Sequence, residues 1–235
     1  MADETTRNIL ALSQKVVRSK GQCTIALTGG STVRSIYARM AAPEYRGQFD
    51  WHKMHFFWGD ERWVPPDHPK SNYHIVADTF LTKVDIPFEN IHPIKTREGN
   101  PESAAALYEK EIVAHFAIKN GEFPRFDLMM LGVGQDGHVA SLFPGHDVLQ
   151  ESKRLVMPTF YEEAEEQRIT LTLPVFNHAR HIFFVLAGME KANILHTALE
   201  GPLSQDPLPV QRIHPHQGSL YWFVDKAAAS LLKTD

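Results

Sequence analysis

The chain has one cysteine, Cys23, in 235 residues, so no disulfide can form within it. Cys23 lies in the apolar run GQCTIALTGG, where a thiol packs as a small hydrophobe and is not activated as a nucleophile. No apolar run approaches the ~20 residues that a membrane-crossing helix needs. The first segment, MADETTRNILALSQKVVRSK, starts acidic and turns helical. It lacks the basic start and small-residue cleavage site of a secretory signal, so the expected location is the cytoplasm. Excess positive charge is missing too: 24 Lys and Arg against 28 Asp and Glu leave a net charge of -4. A broad nucleic-acid surface needs clustered cations, so neither nucleic acid nor membrane is expected as a partner. A small anion needs only one or two placed cations and a few backbone amides, and that class stays open.

Two further absences bear on chemistry. No G-x-S-x-G elbow occurs, which leaves a serine hydrolase without support. The pairs His178/His181 and His214/His216 have no carboxylate or cysteine at a recognisable ligand spacing. They read as surface histidines, and no metal or cofactor is expected.

What remains is an ordinary globular composition, with 43% hydrophobic, 22% charged and 10% aromatic residues. The length suits a single catalytic domain over 1–235. Short apolar runs alternate with longer helical patterns. Ile9, Leu10, Leu12, Val16 and Val17 recur at helical spacing, a strand over 23–27 follows, and TGGS leads into a helix reaching about Met40. MHFFW (54–58) reads as the next buried strand, and Ser71 with Asn72 opens a helix to about Leu81. A helix is expected over 101–119, with Pro101 in its first turn, and a strand over 126–131. The second half predicts strands near 154–158, 168–172 and 181–187, a helix over 189–199, a strand over 221–224 and a terminal Ala-rich helix. This is an α/β pattern: one domain with a mostly parallel, doubly wound, Rossmann-like sheet and helices on both faces. Ligands in such sheets gather outside the carboxyl ends of the strands.

Four loops leave those ends, after Leu27, Trp58, Leu131 and Ala187. In LTGGST two glycines turn the chain tightly, and Ser31 or Thr32 is expected to cap a helix whose amides and dipole suit a phosphate. A plain strand–helix turn is an equal reading of that segment alone. In WGDERWVPP, Asp60, Glu61 and Arg62 follow an apolar strand directly, where charge is costly unless solvated or paired. An arginine there suits a phosphate or fixes a carboxylate; a solvated turn is the alternative. In GVGQDGHVASLFPG, Gly132, Gly134 and Gly137 spell G-x-G-x-x-G. Pro144 and Gly145 stop the segment before the long helix that a dinucleotide fingerprint opens. Asp136, Gly137 and His138 instead set an acid and an imidazole at a strand's carboxyl end, and imidazole titrates near neutrality as a general base requires. In GMEKA, Lys191 falls in the first turn of a helix, against the dipole. That placement suggests an anion nearby, although taken alone an exposed lysine explains it better.

Assembled, these segments resemble the 6-phosphogluconolactonase family over nearly the whole chain. The matching stretches are LTGGSTVRSIY (27–37), FFWGDERWVPPDHPKSNY (56–73), DLMMLGVGQDGHVASLFPG (127–145), RITLTLPVFNHA (168–179), LAGMEKA (186–192) and WFVDKAAA (222–229). The third, joined to GDERWVP and SNY, is the specific one. The resemblance implies a fold shared with glucosamine-6-phosphate deaminases and a carboxylic ester hydrolase that needs no metal or organic cofactor. The implied reaction converts 6-phospho-D-glucono-1,5-lactone to 6-phosphogluconate, the second step of the oxidative branch of the pentose phosphate pathway. On matching positions His138 would be the general acid/base, with Asp136 shaping the site. Thr28, Gly29, Gly30 and Ser31, with Arg168 and Lys191, would hold the phosphate, and Asp60 and Arg62 would line the site. Gln135 stands where an acid is usual and Val139 where Thr is common, and neither removes a group the mechanism needs.

The partner so implied is a small phosphorylated sugar lactone, and the protein is expected to be a monomer or weak homo-oligomer. Three competing readings are an amino-sugar-phosphate deaminase/isomerase of the same fold, a non-catalytic sugar-phosphate sensor and a nucleotide-dependent oxidoreductase. The first typically continues differently after Asp-Gly-His. The second usually carries a DNA-binding segment, for which residues 1–20 are too short.

Overall fold

The strand over Cys23–Leu27 buries every one of its side chains, as a strand covered on both faces does. In the computed structural model, which describes all residues but 98, 120, 163, 164, 203, 204, 234 and 235, it lies inside a six-stranded sheet. The first half of the chain forms α1 (Ala2–Lys20), β1 (Cys23–Leu27), α2 (Ser31–Met40), α3 (Pro43–Arg46), β2 (Met54–Trp58), β3 (Asp60–Arg62), α4 (Asn72–Thr79), β4 (Ile91–His92) and α5 (Pro101–Phe116). The second half forms β5 (Leu128–Leu131), β6 (Val156–Tyr161), β7 (Glu166–Leu171), α6 (Leu173–Asn177), β8 (His181–Leu186), α7 (Ala192–Glu200) and β9 (Ser219–Val224).

The large sheet runs β4-β2-β1-β5-β8-β9 and every pairing in it is parallel. The chain winds outward from β1 to β4, returns to β5 beside β1, and winds outward again to β9. That reversal leaves a crevice at the carboxyl ends of β1 and β5, where ligands of open α/β sheets bind. Helices cover both faces, as the alternation of β2 demonstrates. Phe56 meets Phe80, on which Tyr37 of α2 stacks at 6.2 Å. Phe57 points the other way, toward Tyr108 and Phe116 of α5 at 6.4 and 5.9 Å.

Three local expectations need correction. The strands expected near 154–158 and 168–172 do not join the parallel sheet; as β6 and β7 they form an antiparallel ribbon that pairs with β3 in a separate sheet, β3-β7-β6. The connection over 162–165 is the reason, since parallel neighbours need a crossover of a dozen or more residues. The Ala-rich end after β9 forms consecutive turns and no helix: Ala229 N–H donates to Asp225 O at 3.0 Å, and the Asp225 carboxylate takes the Ala228 amide at 2.8 Å. So short a segment gains too few bonds to offset helix nucleation. The helix expected from residue 189 starts as a 3-10 turn over Met189–Lys191, which puts Lys191 at the N-cap of α7 and outside its first turn.

Where β1 and β2 stop pairing, tyrosines take over. The Tyr37 hydroxyl donates to Thr28 O at 2.8 Å and accepts from Thr28 N–H at 3.2 Å. Tyr108 does the same for Trp58, at 3.0 and 2.8 Å. Both rings are buried, and burial pushes both phenols up, so each stays a neutral donor and acceptor. Tyr108→Phe strips one partner from two buried backbone groups and is expected to cost about 1–3 kcal/mol. Urea unfolding checks this as a lower midpoint at unchanged slope.

Candidate active site

The crevice is a cleft of about 210 Å³, lined by Thr28, Gly29, Gly30, Ser31, Asp60, Arg62, His138, Arg168 and Lys191. Of the residues that the resemblance assigns to the site only Asp136 is absent from the lining, because it stands behind His138.

One wall is the start of α2. Gly30 is its N-cap and no side chain caps it, contrary to the expectation that Ser31 or Thr32 would. The first amides of the helix therefore keep their hydrogen-bonding capacity for a ligand, at the positive end of the dipole. Gly29 is required here by a close approach: a Cβ on it would overlap the Asn72 carboxamide, which donates to Asp60 O at 2.9 Å and to Asp60 Oδ1 at 3.1 Å.

The opposite wall is the small sheet. Arg62 and Arg168 sit directly opposite each other across the β3–β7 pairing, an arrangement that repels. The Nε of each is buried and has no hydrogen-bond partner among the described residues. Arg168 lies over the Phe143 and Tyr161 rings, at 5.6 and 5.1 Å, and donates to Glu166 at 2.8 Å. Glu166 also pairs with Lys70, whose carbonyl accepts from Arg62 Nη1 at 2.6 Å. Burial depresses the Arg168 guanidinium, Asp60 opposes that, and the neighbouring Arg62 charge adds to it. An oxyanion in the cleft would give both arginines the acceptor they lack.

Asp60 and Glu61 are not the solvated turn that their sequence allows. Asp60 is buried and accepts from Ser141 Oγ at 2.7 Å as well as from Asn72, which ties the segment after β2 to both α4 and the glycine loop. Glu61 accepts from the amides of Arg62, Asn72 and Tyr73 at 2.8, 2.7 and 2.8 Å, and from Ser71 Oγ at 2.9 Å. Burial pushes the Glu61 carboxyl up and these hydrogen bonds pull it back. Sequence reasoning missed Asn72, Ser141, Glu61 and Glu166 as parts of the site. The first two lie inside stretches that carry the family resemblance, but nothing local reveals their shared bond to Asp60.

The floor is the loop after β5. Gly137 N–H donates to Gly134 O at 3.1 Å, and Gly134 N–H donates to His138 O at 2.9 Å, so the chain folds back on itself within four residues. This brings the Asp136 carboxylate to His138, accepting from the backbone N–H at 3.2 Å and from Nδ1 at 2.6 Å. Gly134 admits no Cβ, which would overlap both His138 Nδ1 and Asp136 Oδ1. Burial works to raise the Asp136 carboxyl, but the His138 hydrogen bond and charge outweigh it and hold it below an ordinary aspartate. An ionised Asp136 accepts the proton on Nδ1, so Nε2 carries the lone pair that can act as a base. Lys191 Nζ donates to Val133 O at 2.8 Å, pinning the ammonium beside this loop. Val139 is buried and bridges to Leu142, away from the cleft, whereas Gln135 is exposed.

These walls define a class: a cleft lined by cations and a helix start at the switch point of a doubly wound sheet, facing one carboxylate-backed imidazole. Residues 1–222 match the family of glucosamine-6-phosphate isomerases/6-phosphogluconolactonase, and the chain belongs to that family. It is 40% identical over 219 residues to the 6-phosphogluconolactonase of Synechocystis sp., covering 93% of this chain and 88% of that one. It is 41% identical over 224 residues to the 6-phosphogluconolactonase of Nostoc sp., covering 95% and 90%. The solved structure of a 6-phosphogluconolactonase from Thermotoga maritima matches with a TM-score of 0.80 at 32% identity, over 95% of this chain and 94% of that one. A monomeric glucosamine-6-phosphate deaminase shares the fold, with a TM-score of 0.79 at 19% identity over 98% and 97%.

The low position of Asp136 has a sign in stability. The folded chain releases this proton more readily than the unfolded one. The resulting stabilisation is full above the unfolded value and is lost as pH falls through the lower folded value. Thermal unfolding followed from neutral to acid pH should therefore fall less steeply in Asp136→Asn than in the wild type.

Proposed function

We propose that the cleft binds 6-phospho-D-glucono-1,5-lactone and hydrolyses it to 6-phosphogluconate, the second step of the oxidative branch of the pentose phosphate pathway. The family includes this reaction, and the names of the relatives favour it over others of the fold. The observation that carries it is one cleft holding both a carboxylate-backed imidazole and two opposed arginines whose Nε atoms lack acceptors.

In this reading the phosphate rests on Thr28, Gly29, Gly30 and Ser31 at the start of α2, with Arg168 and Lys191 supplying charge. Asp60 and Arg62 lie along the sugar. Neutral His138 takes a proton from water through Nε2 as the water oxygen attacks C1. The carbonyl oxygen becomes an oxyanion that Arg62 or amides of the glycine loop stabilise. Collapse breaks the bond from C1 to the ring oxygen, and the imidazolium returns the proton to that oxygen. One water is consumed and no covalent enzyme intermediate is needed. Asp136 steadies the imidazolium between the two transfers. The same reading keeps the protein cytoplasmic, where its one thiol stays reduced, and monomeric or weakly homo-oligomeric.

The test is hydrolysis of freshly generated lactone with the spontaneous rate subtracted. His138→Ala should lower kcat by about 100-fold to 10,000-fold, and a near wild-type rate would overturn the assignment. Gly134→Ala, with an unchanged circular dichroism spectrum, should lose about 100-fold in kcat/KM because it displaces the imidazole by a fraction of its own width. Ammonia release from glucosamine 6-phosphate, with no lactone turnover, would transfer the site to the deaminase branch.

A further inference from the structure

A second constellation lies at the β4 edge of the large sheet. His55 of β2, His92 of β4 and His115 of α5 bring their ring nitrogens within 4.8 Å of one another, and none of them lines the catalytic cleft. His55 Nδ1 and His92 Nε2 are 3.3 Å apart. The other nitrogen of His92, Nδ1, is 2.8 Å from Glu111 Oε1, and Glu111 sits one helical turn before His115 on α5. His115 Nε2 is buried and has no hydrogen-bond partner among the described residues.

We propose that His55, His92 and His115 bind one Zn²⁺ ion, with Glu111 as the outer carboxylate that orients His92. Zinc bound by imidazole at 2.0–2.1 Å in a tetrahedron spaces its ligand nitrogens about 3.3 Å apart. The pair from β2 and β4 already has that spacing, and a small rotation of the His115 ring brings in the third. A hydrogen bond between His55 and His92 would explain their distance alone, but it leaves His115 Nε2 orphaned, which buried polar groups seldom are. The contact from His92 Nδ1 to Glu111 is the carboxylate–histidine arrangement that commits the opposite nitrogen to a metal. Three imidazoles with no carboxylate in direct reach among the described residues favour zinc and its neighbours over magnesium or calcium. His115 also lines a cavity of about 390 Å³ beside the cluster, which gives solvent a route to a fourth coordination position. The ion would fasten β4, an edge strand of two residues, to β2 and α5. Its role is therefore that of a clip on the fold, separate from the lactone chemistry.

The experiment is titration of metal-stripped protein with Co²⁺, followed by the visible absorption of tetrahedral Co²⁺, and then competition by Zn²⁺. One equivalent should bind and be displaced by one equivalent of zinc, and zinc should raise Tm. Glu111→Gln, which leaves all three rings in place, should weaken binding about 10-fold to 100-fold. His115→Ala should weaken it further and abolish the rise in Tm, while His178→Ala should match the wild type. Absence of the tetrahedral spectrum in the wild type overturns the proposal, whatever the variants do. Affinity that is unchanged in Glu111→Gln, or binding lost in His138→Ala in place of His115→Ala, overturns it as well.

Discussion

A parallel strand that ends inside a protein leaves amide and carbonyl groups without their ladder, and such groups must find other partners. This constraint organises the molecule at the carboxyl ends of β1 and β2. Tyr37 and Tyr108 reach in from helices on opposite faces and close off Thr28 and Trp58. The chain is then free to turn at Gly29 and at Gly59 without exposing the sheet to water. Most of the cleft starts from these two capped ends or from the end of β5, with Arg168 of β7 and Lys191 after β8 completing it.

The charges placed there are tolerable only as a network. Burying a lone carboxylate costs several kcal/mol unless hydrogen bonds offset it. Glu61 meets that condition with four donors, three of them backbone amides, two of which open α4. Asp60 meets it with Ser141 and Asn72, and in doing so joins three segments that are far apart in the chain. Arg62 and Arg168 are exceptions, since each keeps a buried Nε without an acceptor among the described residues. Two guanidiniums with unfilled donors on one wall of a cleft suit it to an anion.

The two sheets divide the work. The large sheet supplies a helix start and the glycine loop, both fixed by strands buried on two faces. The small antiparallel sheet supplies the arginines and Tyr161, on which Phe143 of the loop after β5 stacks under Arg168. The imidazole and its carboxylate come from one tight turn, so their mutual geometry survives small movements between the sheets.

Features that depend on neighbours within a few residues were legible in the sequence. Helical spacing of apolar residues, buried strand runs, the turn at TGGS and the nearness of Asp136 to His138 all follow from local geometry, but how the two pair does not. The family resemblance carried Arg62, Arg168 and Lys191 to one site, although no spacing along the chain does so. Tertiary structure alone decided that 154–158 and 168–172 leave the parallel sheet, that Arg62 faces Arg168, and that Gly29 must admit Asn72. It also decided that Glu61 caps α4 and that His55, His92 and His115 converge. The spacing of His178 and His181 along the chain says nothing of that convergence, because the three rings come from β2, β4 and α5, far apart in sequence. Local rules determine what each segment can be. Which segments meet is set by burial over the whole chain, and that sum has no signature in any short stretch of it.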